Sequence, residues 1–293
     1  MIPKRKFGNT GLEVSILGLG GGQIGDYNLP DKEVEKLLNF ALDNGINLID
    51  TARGYYASEE RIGKFISHRR DEFVLSTKVG YGIQGFDDWT YDCIIAGVDA
   101  ALKLMKTEII DIVHLHSCNS DIMKNNGVID ALLTTVENGK VKAAAYTGEN
   151  DDLEFAVNSG KFNSVQTSVN ITDQRDLDKI LIKAKQTGMG VIAKRPVANA
   201  PWRFTERPAG QYCEDYWLRW KKMNLDFGMD WQEVALRFTA FTEVVDSCIV
   251  GTANIEHLKE NIKIIEKGKL PGENYNSIRE SFKRNDDGWI GLL

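Results

Sequence analysis

The chain has 293 residues, a length that fits either two average domains or one barrel domain of about 250 residues. Its 36 lysines and arginines against 42 aspartates and glutamates give a net charge of −6, which argues against nucleic acid or an anionic membrane surface as the main partner. Because the chain shows no secretory signal pattern and no apolar run near the roughly 20 residues of a bilayer span, we expect a cytoplasmic protein.

Short apolar runs rich in Val, Ile and Leu alternate with segments of helical periodicity, which is typical of repeated strand–helix units. Strands are predicted at residues 15–19, 48–50, 73–78, 110–116, 143–147, 164–168, 190–194 and 247–250. Helices are predicted at 31–44, 58–66, 91–104, 129–138, 151–159, 175–187, 231–242 and 255–267, with Asp31 and Ser58 capping the first two. Eight strands each followed by a helix favour a closed (β/α)8 barrel, an α/β fold, and we expect residues 1–293 to form one such domain.

Two segments lie outside this repeat. Turn residues at positions 8–11 predict an N-terminal β-hairpin that closes the bottom of the barrel. A long, aromatic insertion follows Lys194, after the seventh strand, and is expected to form a lid or a pocket wall because barrel function lies in the loops after the strands. From these loops we expect Trp89 and Trp202 to line the pocket for the substrate.

Four side chains with acid–base chemistry lie at or after three consecutive predicted strands. Asp50 ends the second strand and Tyr55 follows it, while Lys78 ends the third strand and His116 the fourth. Since the C-terminal strand ends of a barrel converge on one site, we expect these groups to meet. Reduction of a carbonyl by hydride needs a proton donor, an activator and a group that orients the carbonyl. Tyr55 would be the donor, Lys78 its activator held by Asp50, and His116 the orienting group.

Each of these side chains also has a structural interpretation when it is considered alone. Asp50 would cap or pair with the loop that follows it, and Lys78 would extend to solvent. Tyr55 would pack beside Tyr56, and His116 would be a hydrogen-bonded polar group. Their shared position at consecutive strand ends favours the catalytic interpretation.

Longer strings around these residues resemble the aldo-keto reductase family. The string INLIDTARGYYASEERIGK matches the family signature DTAxxY followed by SE and IG. FVLSTKVG, EIIDIVHLHS, ENGKVKAAAYTG, SVQTSVN and CIVGTANIEHLKEN follow in the family's order, so the resemblance spans nearly the whole chain. It implies a nicotinamide-dependent reductase of aldehydes or ketones on a barrel fold, with Asp50, Tyr55, Lys78 and His116 as the catalytic set.

The resemblance also implies contacts with the cofactor. The positions concerned are Gly21, Gly22, Thr147, Gln166, Lys194, Gly251, Thr252, His257, Glu260 and Asn261. Four of them depart from the family pattern. Thr147 precedes Gly148 where the family often has Ser-Asn, and Lys194 replaces an aromatic residue that stacks on the nicotinamide. Gly251 and His257 stand where many members place the Lys and Arg that bind the 2′-phosphate, so NADP is expected from the family's habit and NAD is the alternative.

Two other functions fit parts of the sequence. The HxH pair His114 and His116 on one strand is a candidate for metal ligation by a hydrolase. Only His68 and His257 remain as further histidines, and they are predicted to lie away from the strand ends, so we expect no metal site. The second alternative is a non-catalytic cofactor-binding regulatory protein, which the complete set of four residues disfavours. The expected partner is a small carbonyl substrate, and the sequence makes no prediction of oligomeric state.

Overall fold

The structure, a computed structural model, describes residues 2–292. In this part of the chain, eight parallel strands close into a barrel in the order β10-β3-β4-β5-β6-β7-β8-β9. These are β3 (Leu17–Gly20), β4 (Leu48–Asp50), β5 (Val74–Val79), β6 (Ile110–His116), β7 (Val141–Thr147), β8 (Ser164–Ser168), β9 (Gly190–Lys194) and β10 (Ser247–Gly251). The predicted barrel is confirmed, and its seam is the parallel pairing of Cys248 with Leu17 through Gly251 with Gly20.

Helices surround this barrel and connect its strands. They are α1 (Asp31–Asp43), α2 (Ser58–Phe65), α3 (Tyr91–Met105), α4 (Ser120–Asn125), α5 (Val128–Glu137), α6 (Asn150–Ser159), α7 (Ile180–Gln186), α8 (Glu214–Met223), α9 (Trp231–Ala240), α10 (Ile255–Glu266) and α11 (Gly272–Asn285). The helix predicted at 175–187 is divided into a 3-10 turn at Arg175–Asp178 and α7, because Lys179 leaves the helical region at φ −136°. Helices α4, α8 and α11 were not predicted. Within residues 2–292, no helix is both long and apolar enough to cross a bilayer.

The predicted caps of the first two helices were wrong. Asp31 is the first helical residue of α1 and makes no cap bond. Its carboxylate instead binds Arg61 at 3.1 Å and Lys64 at 2.7 Å, both on α2. Ser58 likewise begins α2, and its hydroxyl accepts a bond of 2.7 Å from Thr51. Both side chains therefore bond to neighbouring elements and do not cap their own helices.

The N-terminal hairpin is confirmed. Its strands β1 (Lys4–Lys6) and β2 (Glu13–Ser15) pair antiparallel. Phe7, in the connection between them, is fully buried against the start of β9. A Cβ atom at Gly190 would lie 2.6 Å from the Phe7 ring, so glycine is required for this contact. The hairpin therefore covers the bottom of the barrel.

Side chains that point into the barrel change from apolar to polar along several strands. Near the hairpin, the interior is filled by an apolar cluster that includes Leu48, Val74 and Ile112. Because side chains alternate along a strand, the next inward position on β4 is Asp50, and on β6 it is His114. The strand sequences thus place buried polar groups at the C-terminal mouth, where barrels carry their active sites.

Candidate active site

A buried ion pair lies at the mouth of the barrel. The Lys78 amine is 2.6 Å from a carboxylate oxygen of Asp50 and donates a second bond of 2.7 Å to the Thr51 carbonyl. Burial opposes both charges, but their mutual attraction is stronger, so the pKa of Asp50 is lowered and that of Lys78 is raised. Both groups are therefore ionised.

Tyr55 lies against this pair, as the sequence predicted. The Lys78 nitrogen is 4.8 Å from the centre of the Tyr55 ring. The His116 ring meets Tyr55 edge-on, with 5.9 Å between the ring centres. The structure therefore brings the four predicted residues together at the ends of adjacent strands, with an ammonium beside a phenol and an imidazole.

Tyr81 is a member of this cluster that sequence reasoning missed. Its hydroxyl is 2.8 Å from Nδ1 of His116, and the two rings stack with their centres 5.5 Å apart. Burial, reinforced by the Lys78 charge, lowers the pKa of His116 to about 3. His116 is thus a neutral imidazole. The available signal was the position of Tyr81 in the loop directly after the strand that ends near Lys78.

The second oxygen of Asp50 connects the pair to the barrel interior. It accepts bonds from Ser76 at 2.8 Å and from the Gln166 side chain at 3.0 Å. Ser76 also contacts His114 at 3.1 Å, and His114 is fully buried with its pKa lowered to about 4, chiefly by burial. These contacts fix the orientation of the Asp50 carboxylate.

The donor set for a metal site is not assembled in the described part of the chain. No group of three or more His, Cys, Asp or Glu side chains between residues 2 and 292 is arranged to hold an ion. His114 and His116 lie two residues apart on β6, whereas His68 lies in the turn before β5 and His257 lies on α10. His257 therefore lies on the helix predicted at 255–267, which α11 follows.

A cleft of about 950 Å³ opens above the cluster. It extends from Tyr55 and His116 to the first turns of α10. Among the predicted residues, its lining includes Asp50, Tyr55, His116, Gly22, Gln166, Lys194, Gly251, Thr252, His257, Glu260 and Asn261. Lys78, Gly21, Thr147, Trp89 and Trp202 are not part of this lining.

Gly21 and Thr147 lie behind the lining for identifiable reasons. A Cβ atom at Gly21 would be 2.7 Å from the Ser58 hydroxyl, so this glycine permits close packing of β3 against α2. The buried Thr147 hydroxyl donates a bond of 3.3 Å to the side-chain amide oxygen of Gln166. Thr147 thus orients the amide that lines the cleft.

The two tryptophans expected to line the substrate pocket are outside the lining of this cleft. Trp89 lies beside Tyr81, with ring centres 5.8 Å apart, and its backbone N–H bonds to Gly80. Trp202 stacks on Trp231 at 6.3 Å. The aromatic residue of the insertion that does line the cleft is the exposed Tyr212.

Lys194 is held by a buried carboxylate that the sequence analysis did not identify. Its amine is 3.0 Å from Glu149, which also accepts bonds from the hydroxyls of Thr167 and Ser168. Burial lowers the pKa of Lys194, although Glu149 opposes the shift. The signal for Glu149 was its place directly after β7, where a charged residue faces the same mouth as Lys194.

The glycine that follows Thr147 at the end of β7 has a steric explanation. A Cβ atom at Gly148 would lie 2.2 Å from the hydroxyl of Tyr146. That hydroxyl donates to the Cys118 carbonyl at 3.0 Å, and burial raises the pKa of Tyr146 well above its usual range. The fixed Tyr146 ring therefore leaves no room for a larger residue at position 148.

The far end of the cleft is built around the N-terminus of α10. Asn254 caps this helix by accepting a bond from the Glu256 N–H, and Thr252 accepts one of 3.0 Å from the Asn254 N–H. Asn261 accepts a bond of 3.0 Å from Gln232 across the lining. The positive end of a helix dipole favours an anion at this end of the cleft.

Known proteins with similar sequences are oxidoreductases. The model of the aldo/keto reductase family matches residues 16–283. An uncharacterized oxidoreductase of Bacillus subtilis, YqkF, is 26% identical over 96% of this chain and 97% of its own. L-galactose dehydrogenase of Arabidopsis thaliana is 23% identical over 95% of this chain and 93% of its own.

Solved structures agree with the fold. A candidate aldo-keto reductase of Pseudomonas aeruginosa superposes with a TM-score of 0.73 at 27% identity, covering 90% of this chain and 94% of that one. The holo form of an aldo-keto reductase from Bacillus halodurans superposes with a TM-score of 0.83 at 24% identity over 96% of both chains, a likeness of fold. The match of the family model to most of the sequence shows that this chain belongs to the aldo/keto reductase family.

Proposed function

We propose that this protein reduces an aldehyde or a ketone to an alcohol with hydride from NADPH. The observation that carries the proposal is the Tyr55 phenol beside the ion-paired Lys78 ammonium, 4.8 Å from ring centre to nitrogen, at the floor of the cleft. As a member of the aldo/keto reductase family, the protein is an oxidoreductase.

The nicotinamide cofactor, when bound, supplies hydride to the carbonyl carbon. Tyr55 gives its hydroxyl proton to the carbonyl oxygen as negative charge develops there. Lys78 stabilises the resulting phenolate by its nearby positive charge, and Asp50 keeps that ammonium ionised and fixed. His116, being neutral, donates a hydrogen bond that orients the carbonyl without competing for the proton.

The cleft fits a dinucleotide in size and chemistry. Its volume of about 950 Å³ lies at the upper end of the roughly 300–1,000 Å³ of ligand pockets. Gln166 would hold the carboxamide, and the helix α10 N-terminus would receive phosphate. We propose NADP as the cofactor, with the 2′-phosphate near Thr252 and His257, whereas Glu260 would favour the free ribose hydroxyl of NAD. Titration with NADPH and NADH, followed by nicotinamide fluorescence, distinguishes the two.

Replacement of Tyr55 by phenylalanine tests the proposal. The variant loses the proton donor, so kcat for carbonyl reduction should fall by about 10²–10⁴-fold while the cofactor still binds. Tyr56→Phe is the matched control. The Tyr56 side chain, next to Tyr55 in the sequence, is exposed, so this substitution should leave kcat unchanged. The assay uses a panel of aldehydes and ketones with both cofactors.

Other outcomes would identify other functions. Cofactor binding by the wild-type protein with no carbonyl reduction on the panel would favour a regulatory cofactor-binding protein. Bound metal, together with activity that Tyr55→Phe leaves unchanged, would favour a hydrolase. Either result would overturn the proposed reduction.

A further inference from the structure

The Tyr81 hydroxyl occupies one of the two nitrogens of His116. It lies 2.8 Å from Nδ1, and the near-parallel rings, at 24°, hold the imidazole plane. Because His116 lines the cleft and its Nδ1 is engaged, Nε2 is the nitrogen left to meet a ligand.

The protons in this contact can be counted. The pKa of His116 is lowered to about 3, chiefly by burial, so the ring carries one proton on one nitrogen. The pKa of Tyr81 is raised, again chiefly by burial, so its hydroxyl keeps its proton. If the hydroxyl donates to Nδ1, the imidazole proton must be on Nε2. If Nδ1 donates instead, Nε2 becomes an acceptor and cannot bond to a carbonyl oxygen.

We propose that Tyr81 is a positioning residue that donates its hydroxyl hydrogen to Nδ1 of His116 and so presents an Nε2–H donor to the substrate carbonyl. This assignment rests on the proposed reductase function, because a carbonyl oxygen accepts hydrogen bonds only. In general, the hydrogen bond made by one ring nitrogen of a histidine decides which of the two nitrogens carries the proton.

The surroundings of Tyr81 hold its hydroxyl in place. A Cβ atom at Gly54 would lie 2.8 Å from this oxygen, so the glycine beside Tyr55 leaves room for it. On the other side, the Trp89 ring lies 5.8 Å away, in a loop closed by the bond of 2.7 Å from the Trp89 N–H to Gly80. Gly80, at φ +146°, allows that turn, and a side chain there would collide with Trp89.

The direct test is the tautomer of His116 in the resting protein. Nitrogen-15 NMR of histidine-labelled protein resolves four histidines, and His116 is identified by its loss in His116→Asn. We expect Nε2–H in the wild type and a shift of at least part of the population to Nδ1–H in Tyr81→Phe. Tyr91→Phe, which removes a hydroxyl that bonds to Thr134 at 3.0 Å on the outer surface, is the control and should leave the signal unchanged.

Kinetics provide the second readout. Tyr81→Phe should lower kcat for carbonyl reduction about tenfold, the factor expected for one lost hydrogen bond of ordinary strength, with little change in cofactor affinity. In the His116→Ala background, the same substitution should have no further effect, because Tyr81 acts through His116.

Several results would overturn the assignment. These are an Nδ1–H tautomer in the wild type, an unaltered tautomer in Tyr81→Phe, or an equal kinetic loss in the His116→Ala background. A wild-type protein that reduces no carbonyl would refute the proposed function instead. The NMR result would still decide whether Tyr81 sets the tautomer, since it requires no turnover.

Discussion

Replacement of Lys78 by methionine would leave a carboxylate stranded in the barrel. Asp50 is 1% exposed and would keep only its bonds from Ser76 and Gln166. Removing one partner of a buried ion pair costs about 3–5 kcal/mol, because the remaining charge has lost its compensation. This is a large part of the roughly 5–15 kcal/mol that separates folded from unfolded domains. We therefore expect the free energy of unfolding to fall by about 3–5 kcal/mol.

Urea unfolding at pH 7, followed by the fluorescence of the six tryptophans, measures this loss. Lys36→Met is the matched control, since Lys36 is 55% exposed and its contact with Glu33 is 3.4 Å long; it should have no measurable effect. The double variant Asp50→Asn with Lys78→Met should recover part of the stability, because no charge remains buried.

The stability difference between wild type and Lys78→Met should also depend on pH. Burial raises the pKa of Asp50, but the attraction of Lys78 outweighs it, so the folded value lies below the unfolded value of about 3.9. The contribution of Asp50 is then present above that value and lost as the pH falls through the folded pKa. In Lys78→Met the unpaired carboxylate destabilises the folded state only when it is ionised. The difference in the free energy of unfolding between wild type and variant should therefore become smaller on acidification. A difference in the free energy of unfolding below about 1 kcal/mol at pH 7, or one that becomes larger in acid, would refute the role of Lys78 in stabilising the Asp50 carboxylate.

Two further substitutions test other buried groups. The pKa of Asp173 is raised to about 8, chiefly by burial, so its contribution to stability should decline from about pH 4 to about pH 8. Asp173→Asn should make this decline smaller when the free energy of unfolding is measured in urea. Asp178→Asn, at an exposed position, is the control and should leave the decline unchanged. Gly148→Ala would place a Cβ 2.2 Å from the Tyr146 hydroxyl and should cost about 1–3 kcal/mol. Gly272→Ala, where no atom lies within 4 Å, should leave the thermal midpoint unchanged.

The strands were predictable because most are short runs rich in apolar residues that lie between turns and helical segments. The predicted bounds of the strands at 48–50, 110–116, 164–168 and 190–194 equal those of β4, β6, β8 and β9. The convergence of Asp50, Lys78 and His116 followed from this, since parallel strands in a barrel end at one mouth. Local pattern was therefore enough for both the barrel and the approach of these side chains.

Features that depend on loop shape were missed. Helix α8 lies in the insertion, where tryptophans obscured the helical periodicity. Tyr81 and Glu149 each lie two residues beyond a strand end, and their partners come from other strands. The direction of Tyr81 depends on Gly80 at φ +146° and on the loop returning through Trp89. Such backbone turns are set by tertiary contacts, which a single sequence does not display.

The arrangement of charge around His116 connects these features. Asp50 holds Lys78 on one side and Glu149 holds Lys194 on the other, each through a buried ion pair. Burial is the main cause of the lowered pKa of His116, and both ammonium groups lower it further. Positive charge in the cleft thus resides on the lysines, so His116 remains a neutral imidazole. In the proposed reduction, Tyr55 would then be the group at the mouth that gives its proton to the carbonyl oxygen.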